Sequence, residues 1–151
     1  MGQSEFTHRR MVEFAETDAA GILHFANYFR YMEATEHAFF RSLGLRVHNA
    51  VEGAGWGWAR GHVDCKYLAP LRNEDTVELR LTVREKRTKS IVYDVAFYKV
   101  REGTAPETEI EPIEVARGSM VTICVMRDPE RGLKAVTMPD EVDRAIAVAP
   151  A

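Results

Sequence analysis

One stretch of this chain concentrates groups that could do chemistry: FAETDAAGILHFANY, residues 14–28. It sets a carboxylate, Asp18, close to Gly21 and to Asn27 and Tyr28, where a helix is expected to open. A carboxylate held against an electrophilic carbonyl carbon has two uses. It attacks, giving a mixed anhydride that water then opens, or it takes the proton of a water that attacks in its place. The N–H groups at a helix entrance lack internal acceptors and are backed by the helix dipole, which suits them to a developing oxyanion. An Asp before Ala-Ala-Gly also serves well as a turn or cap residue, so the chemical and the structural readings both stand at this point.

Other reactive side chains are scattered. His24 invites promotion to general base, but a lone His is more often a hydrogen-bonded packing residue, and it is kept as an auxiliary group. His8, His37, His48 and His62 have no ligand spacing, Cys65 and Cys124 form no CxxC, and neither a GxGxxG nor a P-loop occurs. No metal site and no cofactor are expected. Arg87, Thr88, Lys89 and Ser90 read as a charged turn between strands. The segment at residues 53–61, with Trp56 and Trp58, could line an apolar pocket or pack closely around two core aromatics.

The elements that must position these groups follow from periodicity. Residues 6–14 suit a strand running into the turn-like 16–21. Over residues 27–43 apolar groups recur at Tyr28, Met32, Phe39 and Leu43, with the methyl of Thr35 between, while Arg30, Glu33 and Arg41 turn elsewhere. That spacing predicts one long amphipathic helix, ended by Gly44 in the left-handed conformation. Strands are expected at 62–68, stopped by Pro70, then at 77–84, 91–100 and 115–126. In 77–84 the alternation of Val77, Leu79, Leu81 and Val83 with polar residues demands cover on one face. In the next two strands apolar groups fall on both faces, which calls for a second cover and, in so short a chain, for another copy of it. Residues 101–112 read as a solvated loop and 139–148 as a short terminal helix. The order gives an α+β layout, one helix against an antiparallel sheet, in a single domain over residues 1–151.

Composition agrees and excludes. A chain of 151 residues with 46% hydrophobic content buries a core without disulfides or metals. Its 20 basic and 23 acidic residues are dispersed, so no nucleic-acid surface is indicated. Two cysteines within strand-like runs fit reduced thiols, no run approaches the ~20 apolar residues of a membrane span, and the first residues lack a signal-peptide core; a cytoplasmic protein is expected.

Phe14, Thr17-Asp18, Gly21 and Asn27-Tyr28 together resemble the signature of the 4-hydroxybenzoyl-CoA thioesterase family, including its YbgC-like branch. Tyr67-Leu68-Ala69-Pro70 with Asp75 resembles the family's strand and turn after the helix, and the 87–90 turn its basic turn, so the likeness covers most of residues 6–126. The resemblance implies a hotdog fold, a curved antiparallel sheet wrapped around one long helix. It also implies acyl-CoA hydrolysis at sites between subunits of a homo-oligomer, a dimer or a homotetramer built as a dimer of dimers. It assigns Asp18 as catalytic carboxylate and the backbone N–H of Phe25 as the donor that polarises the thioester carbonyl. Gly21, Asn27, Tyr28 and Glu33 are placed near substrate. Arg87, Thr88, Lys89 and Ser90 follow, with Arg87 and Lys89 at the nucleotide phosphates of CoA. The family's YbgC-like members carry a histidine where this chain has Phe25, one position after His24. Two other readings share the scaffold: a hydratase or dehydratase, which often carries His-Phe-Pro where this chain has His24-Phe25-Ala26, and a non-catalytic acyl-CoA-binding module.

Overall fold

The computed structural model describes residues 2–47 and 55–151. His48 and the start of the glycine-rich segment at 53–61 lie outside the described residues. In chain order the elements are β1 (Glu5–Met11), a single 3-10 turn (Phe14–Glu16), α1 (Phe25–Ser42), β2 (Trp56–Tyr67), β3 (Thr76–Lys86), β4 (Ser90–Glu102), β5 (Ala105–Asp128), β6 (Gly132–Ala135) and α2 (Asp140–Ala145). The strands make one antiparallel sheet in the order β1-β3-β4-β5-β2, with β6 on β5.

The helix stripe read from the sequence is the one that packs. Tyr28, Met32, Thr35 and Phe39 are buried, while Arg30, Glu33 and Arg41 are exposed. Tyr31, Glu36, Ala38 and Phe40 are buried as well, a stripe too wide for contact with a flat surface. The sheet curves around it, and Val77, Leu79, Leu81, Val83, Tyr93, Val95 and Phe97 meet it from the inner face. This is the hotdog arrangement that the family resemblance implies. Close approach depends on Gly118, where an added Cβ would stand 2.7 Å from both the Met32 sulfur and the Asp64 carbonyl oxygen. Gly44 ends the helix at φ +75°, as its lack of Cβ allows.

Several boundaries differ from expectation for local reasons. The first strand stops at Met11 because Glu13 and Glu16 form a reciprocal cap on a 3-10 turn, which leaves Phe14 77% exposed. The helix starts at Phe25, with His24 as its cap, and β2 begins within the glycine-rich segment, at Trp56. Residues 101–112 are no loop. They extend β4 and β5 into a hairpin, with Arg101 opposite Glu109 and Glu102 opposite Ala105, and the two side chains Arg101 and Glu109 pair. Glu, Thr and Pro there reflect an exposed two-stranded arm.

The second sheet face is mixed: Tyr98 and Val121, read from the sequence as apolar groups off the inner face, are half-buried on it beside charged residues. That face carries Glu78, Arg80, Thr82, Arg84, Asp94, Arg117 and Ser119, and its charges pair locally: Arg80 with Glu78 at 2.8 Å, Arg84 with Asp94 at 3.5 Å, Arg117 with Glu114 at 2.8 Å. Tyr98 is capped by the Arg80 guanidinium, 4.0 Å above its ring.

Two carboxylates are buried among the described residues: Asp75, which accepts from the Arg72 and Gly103 N–H groups at 2.8 and 2.9 Å, and Glu36. Glu36 is wholly buried and accepts two hydrogen bonds from Arg60, at 3.0 and 3.3 Å. Arg60 also reaches Glu33 at 3.7 Å, so it links core to surface. Removing the cation strands a carboxylate out of water. Arg60→Met is expected to lower unfolding free energy by about 3 kcal/mol in urea denaturation, and adding Glu36→Leu to recover most of that loss. A single substitution as stable as the native chain would contradict the pairing.

Candidate functional site

The residues 16–24 form a small hairpin. Its base is closed by the His24 N–H donating to the Glu16 carbonyl at 3.0 Å, its next rung by the Asp18 N–H donating to the Ile22 carbonyl at 2.9 Å, and Thr17 bridges Leu23. At the tip the Gly21 N–H returns to the Asp18 carbonyl at 2.9 Å, and Gly21 holds φ +79°, a conformation without steric penalty only for glycine. The Leu23 N–H donates to the Leu71 carbonyl and Ile22 bridges Arg72, which fastens the hairpin to the β2–β3 connection.

Asp18 occupies this tip, half-buried. Its Oδ1 accepts from the Ala20 N–H at 2.9 Å and the Ile22 N–H at 3.4 Å, so the turn-capping role weighed from the sequence is real. Its Oδ2 accepts no hydrogen bond among the described residues. One oxygen is held by the turn, and the other meets no donor among the described residues.

The helix entrance is equally selective. The His24 Nδ1 accepts from the Ala26 N–H at 3.1 Å, and the His24 carbonyl accepts from the Asn27 N–H at 2.9 Å. The Phe25 N–H, between them in logic and first in the helix, meets no acceptor among the described residues. The Phe25 side chain is 61% exposed and stacks on His24 at 4.6 Å between ring centroids. Asp18 is level with Ile22, and the run from Ile22 to Phe25 covers at most about 10 Å. A free carboxylate oxygen and a free helix-entrance N–H therefore belong to the same small frame.

Asn27 and Tyr28 support this frame. The Asn27 Nδ2 donates to the Glu16 carbonyl at 2.8 Å. Tyr28 is buried under Tyr67, edge to face at 4.9 Å, and against Phe97; burial pushes its hydroxyl up to about 12. Tyr67, unmarked by sequence reasoning as a site residue, donates its hydroxyl to the Phe25 carbonyl at 3.0 Å. Nothing in the local pattern signals that contact, which joins the end of a strand to a helix distant in sequence. Cys65 beside it is held up at about 11 by burial, so it remains a thiol at neutral pH and a poor nucleophile.

Glu33 is 62% exposed on the helix and pairs with Arg60. The 87–90 turn is elsewhere. Arg87 is gripped by Glu85 at 2.9 and 3.0 Å, the Thr88 and Lys89 carbonyls accept from the Met138 and Cys124 N–H groups, and Ser90 is buried. Lys89 is thus level with Cys124 and its β2 partner Trp58, whereas Phe25 is level with Tyr67 and its β5 partner Ala116. The stretch of β5 from Ala116 to Cys124 spans about 27 Å. Within one chain the basic turn and the Asp18 hairpin lie at opposite ends of the sheet. Trp58 packs edge to face on Phe40, and Trp56 and Trp58 line a largely apolar concavity of about 490 Å³ with Met126 and Leu133.

With this geometry in place, the family model of the thioesterase-like superfamily matches residues 12–146. The chain belongs to that superfamily, and its class of activity is thioester hydrolysis. It is 31% identical over 137 residues to a putative esterase of Aquifex aeolicus (strain VF5), covering 91% of this chain and 94% of that one. It is 26% identical to the 4-hydroxybenzoyl-CoA thioesterase of Pseudomonas sp. (strain CBS-3), covering 88% and 91%. The structure of that Pseudomonas enzyme superposes with a TM-score of 0.81 at 22% identity, over 93% of this chain and 99% of that one. A 1,4-dihydroxy-2-naphthoyl-CoA thioesterase from Synechocystis superposes at 0.79, with 22% identity over 94% and 95%. At such identities the superpositions speak for the fold.

His24 caps the helix through its side chain, which an asparagine could also do. His24→Asn is therefore expected to keep the melting temperature within about 2 °C and kcat within about threefold, with an unshifted pH profile. A loss of about a hundredfold, in the range of a general acid–base group, would instead give the imidazole a proton-transfer role.

Proposed function

We propose that this protein hydrolyses acyl-CoA thioesters to the free acid and CoA, with Asp18 and the Phe25 N–H as its reacting frame. The observation that carries the reading is the coincidence, in one hairpin, of a carboxylate with a free oxygen and a helix-entrance donor with no acceptor. The names of the relatives support the substrate class, since a 4-hydroxybenzoyl-CoA thioesterase and 1,4-dihydroxy-2-naphthoyl-CoA hydrolases are among them.

The thioester carbonyl oxygen lies on the Phe25 N–H, where the helix dipole favours the charge that develops on it. Asp18 Oδ2 then attacks the carbonyl carbon, the C–S bond breaks with its electron pair leaving on the CoA sulfur, and water opens the resulting anhydride. In the alternative course Oδ2 takes a proton from a water that attacks the same carbon, and the same C–S bond breaks. A thiolate leaves readily, so neither course needs a strong acid at the sulfur.

The active form in this reading is a dimer. β2 ends the sheet, and Val63, Tyr67 and Leu68 near its free edge are exposed, as is Phe25, whose carbonyl accepts from the Tyr67 hydroxyl. Two copies joined antiparallel along β2 bring the Phe25 end of one beside the Trp58 end of the other. The 87–90 turn of that second copy then meets the nucleotide of CoA, and its apolar concavity offers a wall to the acyl group. Two free cysteines suit a reducing compartment, and the cytoplasm is the natural one.

The test is turnover of a panel comprising benzoyl-CoA, 4-hydroxybenzoyl-CoA and hexanoyl-CoA with a thiol reagent. Asp18→Asn is expected to lower kcat by at least about a hundredfold without loss of fold. Full activity in Asp18→Asn removes that residue from its role, and a fully active monomer in light scattering removes the shared site.

A further inference from the structure

Glu16 stands at the closed base of the hairpin, where its N–H donates to the Glu13 carbonyl at 2.9 Å and its oxygens accept five hydrogen bonds from the elements around it. Its carbonyl accepts from the His24 N–H at 3.0 Å and the Asn27 Nδ2 at 2.8 Å. Its carboxylate accepts from the Tyr31 hydroxyl at 2.6 Å and the Glu13 N–H at 2.9 Å through Oε1, and from Arg10 at 3.2 Å through Oε2. One residue thus ties β1, the 3-10 turn, the helix cap and the first two turns of α1 together. We propose that Glu16 is a positioning residue for hydrolysis, fixing Asp18 against the helix entrance; the inference rests on the reading of Asp18 and Phe25 above.

The arrangement separates this role from general stability. The far arm of the hairpin is independently held, by the Leu23 N–H on the Leu71 carbonyl and by the bridge of Ile22 to Arg72. The near arm, on which Asp18 rides, is tied to Ile22 on the far arm and to the Phe14 carbonyl through the N–H and hydroxyl of Thr17, but its link to the helix cap and α1 runs through Glu16. Loosening Glu16 therefore lets the turn that carries Asp18 shift against Phe25 while the far arm stays docked on Leu71 and Arg72. A displacement of about 1 Å in reacting groups costs on the order of a hundredfold in rate.

The anchor is also chemically constant. Tyr31 is wholly buried, and Arg10 lies 4.0 Å over its ring. Burial and then the Glu16 carboxylate push the Tyr31 hydroxyl far above its ordinary range, so it stays a donor at any working pH. Two substitutions probe the link from its two ends. Tyr31→Phe deletes the short hydrogen bond and keeps the ring under Arg10. Glu16→Gln keeps length and shape and loses the charge that Arg10 and the Tyr31 hydroxyl meet.

Both variants are compared with the native chain in turnover of the three acyl-CoAs named above, and in hydrogen exchange of the backbone amides at residues 18 to 22. The expected result is a kcat lower by about ten- to a hundredfold, with KM within about twofold and exchange of the hairpin amides faster by about tenfold. The amides of Leu79 and Leu81 in β3 are expected to stay protected. In an Asp18→Asn background, changing Glu16 is expected to cost nothing further, because the group it positions is gone. An unchanged kcat, an equal loss in the Asp18→Asn background, or exchange accelerated throughout β3 overturns the proposal. If the native chain turns over none of the panel, the hydrolysis reading fails separately, and unaltered hairpin exchange in both variants still refutes the anchoring.

Discussion

An α-helix leaves its first N–H groups without partners inside the helix, and the neighbourhood of residue 25 is organised around that deficit. His24 meets two of the orphans, the Ala26 N–H with its ring nitrogen and the Asn27 N–H with its carbonyl oxygen. The remaining donor, on Phe25, opens the helix with no acceptor among the described residues. A buried vacancy of this kind would cost about 1–3 kcal/mol, so it persists where solvent or a ligand reaches it, and the exposed Phe25 side chain marks such a place. The hairpin then matters because it sets a carboxylate beside this donor, and the sheet matters because it holds both the helix and the hairpin.

The division of the surface points the same way. Across the outer sheet face charges alternate in sign and pair with their neighbours, so that face is content in water. Exposed aromatic and aliphatic groups include Phe25, Tyr67 and Leu68 at one end of β2, the edge that ends the sheet, and Met126 and Leu133 at its other end. An open strand edge with apolar neighbours is a poor surface to leave bare. The same edge separates the Asp18 hairpin from the basic turn by most of the length of the sheet. A substrate with a reactive thioester at one end and phosphates at the other needs both kinds of group, which is why the proposed site draws on two chains.

Much of this was legible in the sequence because it is local. The helix stripe of Tyr28, Met32 and Phe39, the alternation from Val77 to Val83 and the stop at Gly44 each follow from one element's own period. The Asp18 segment was legible because a turn, a glycine and a helix entrance adjoin in the chain. What escaped was non-local. Glu36 reads as a surface carboxylate until Arg60, from a strand far along the chain, arrives beneath it. Tyr67 gains its role from a hydroxyl that reaches Phe25 across the fold. The arm at residues 101–112 has the composition of a loop and becomes a hairpin through cross-strand pairs such as Arg101 with Glu109, which no single-strand pattern records.

The two readings of Asp18, cap and reactive group, are reconciled by the difference between its oxygens. A carboxylate free to rotate spends most of its time aimed elsewhere, and every productive encounter then carries an entropic cost. Here two backbone N–H groups hold Oδ1, which fixes the plane of the group and leaves Oδ2 at the open side of the turn. The positive φ of Gly21 is what lets the chain turn back tightly enough for the Ile22 N–H to join that grip. The structural demand for a capping acid and the demand of the proposed chemistry for an oriented one are therefore met by the same hydrogen bonds. An asparagine at this position would keep the cap and lose the charge, which makes the two demands separable in the molecule even though one side chain serves both.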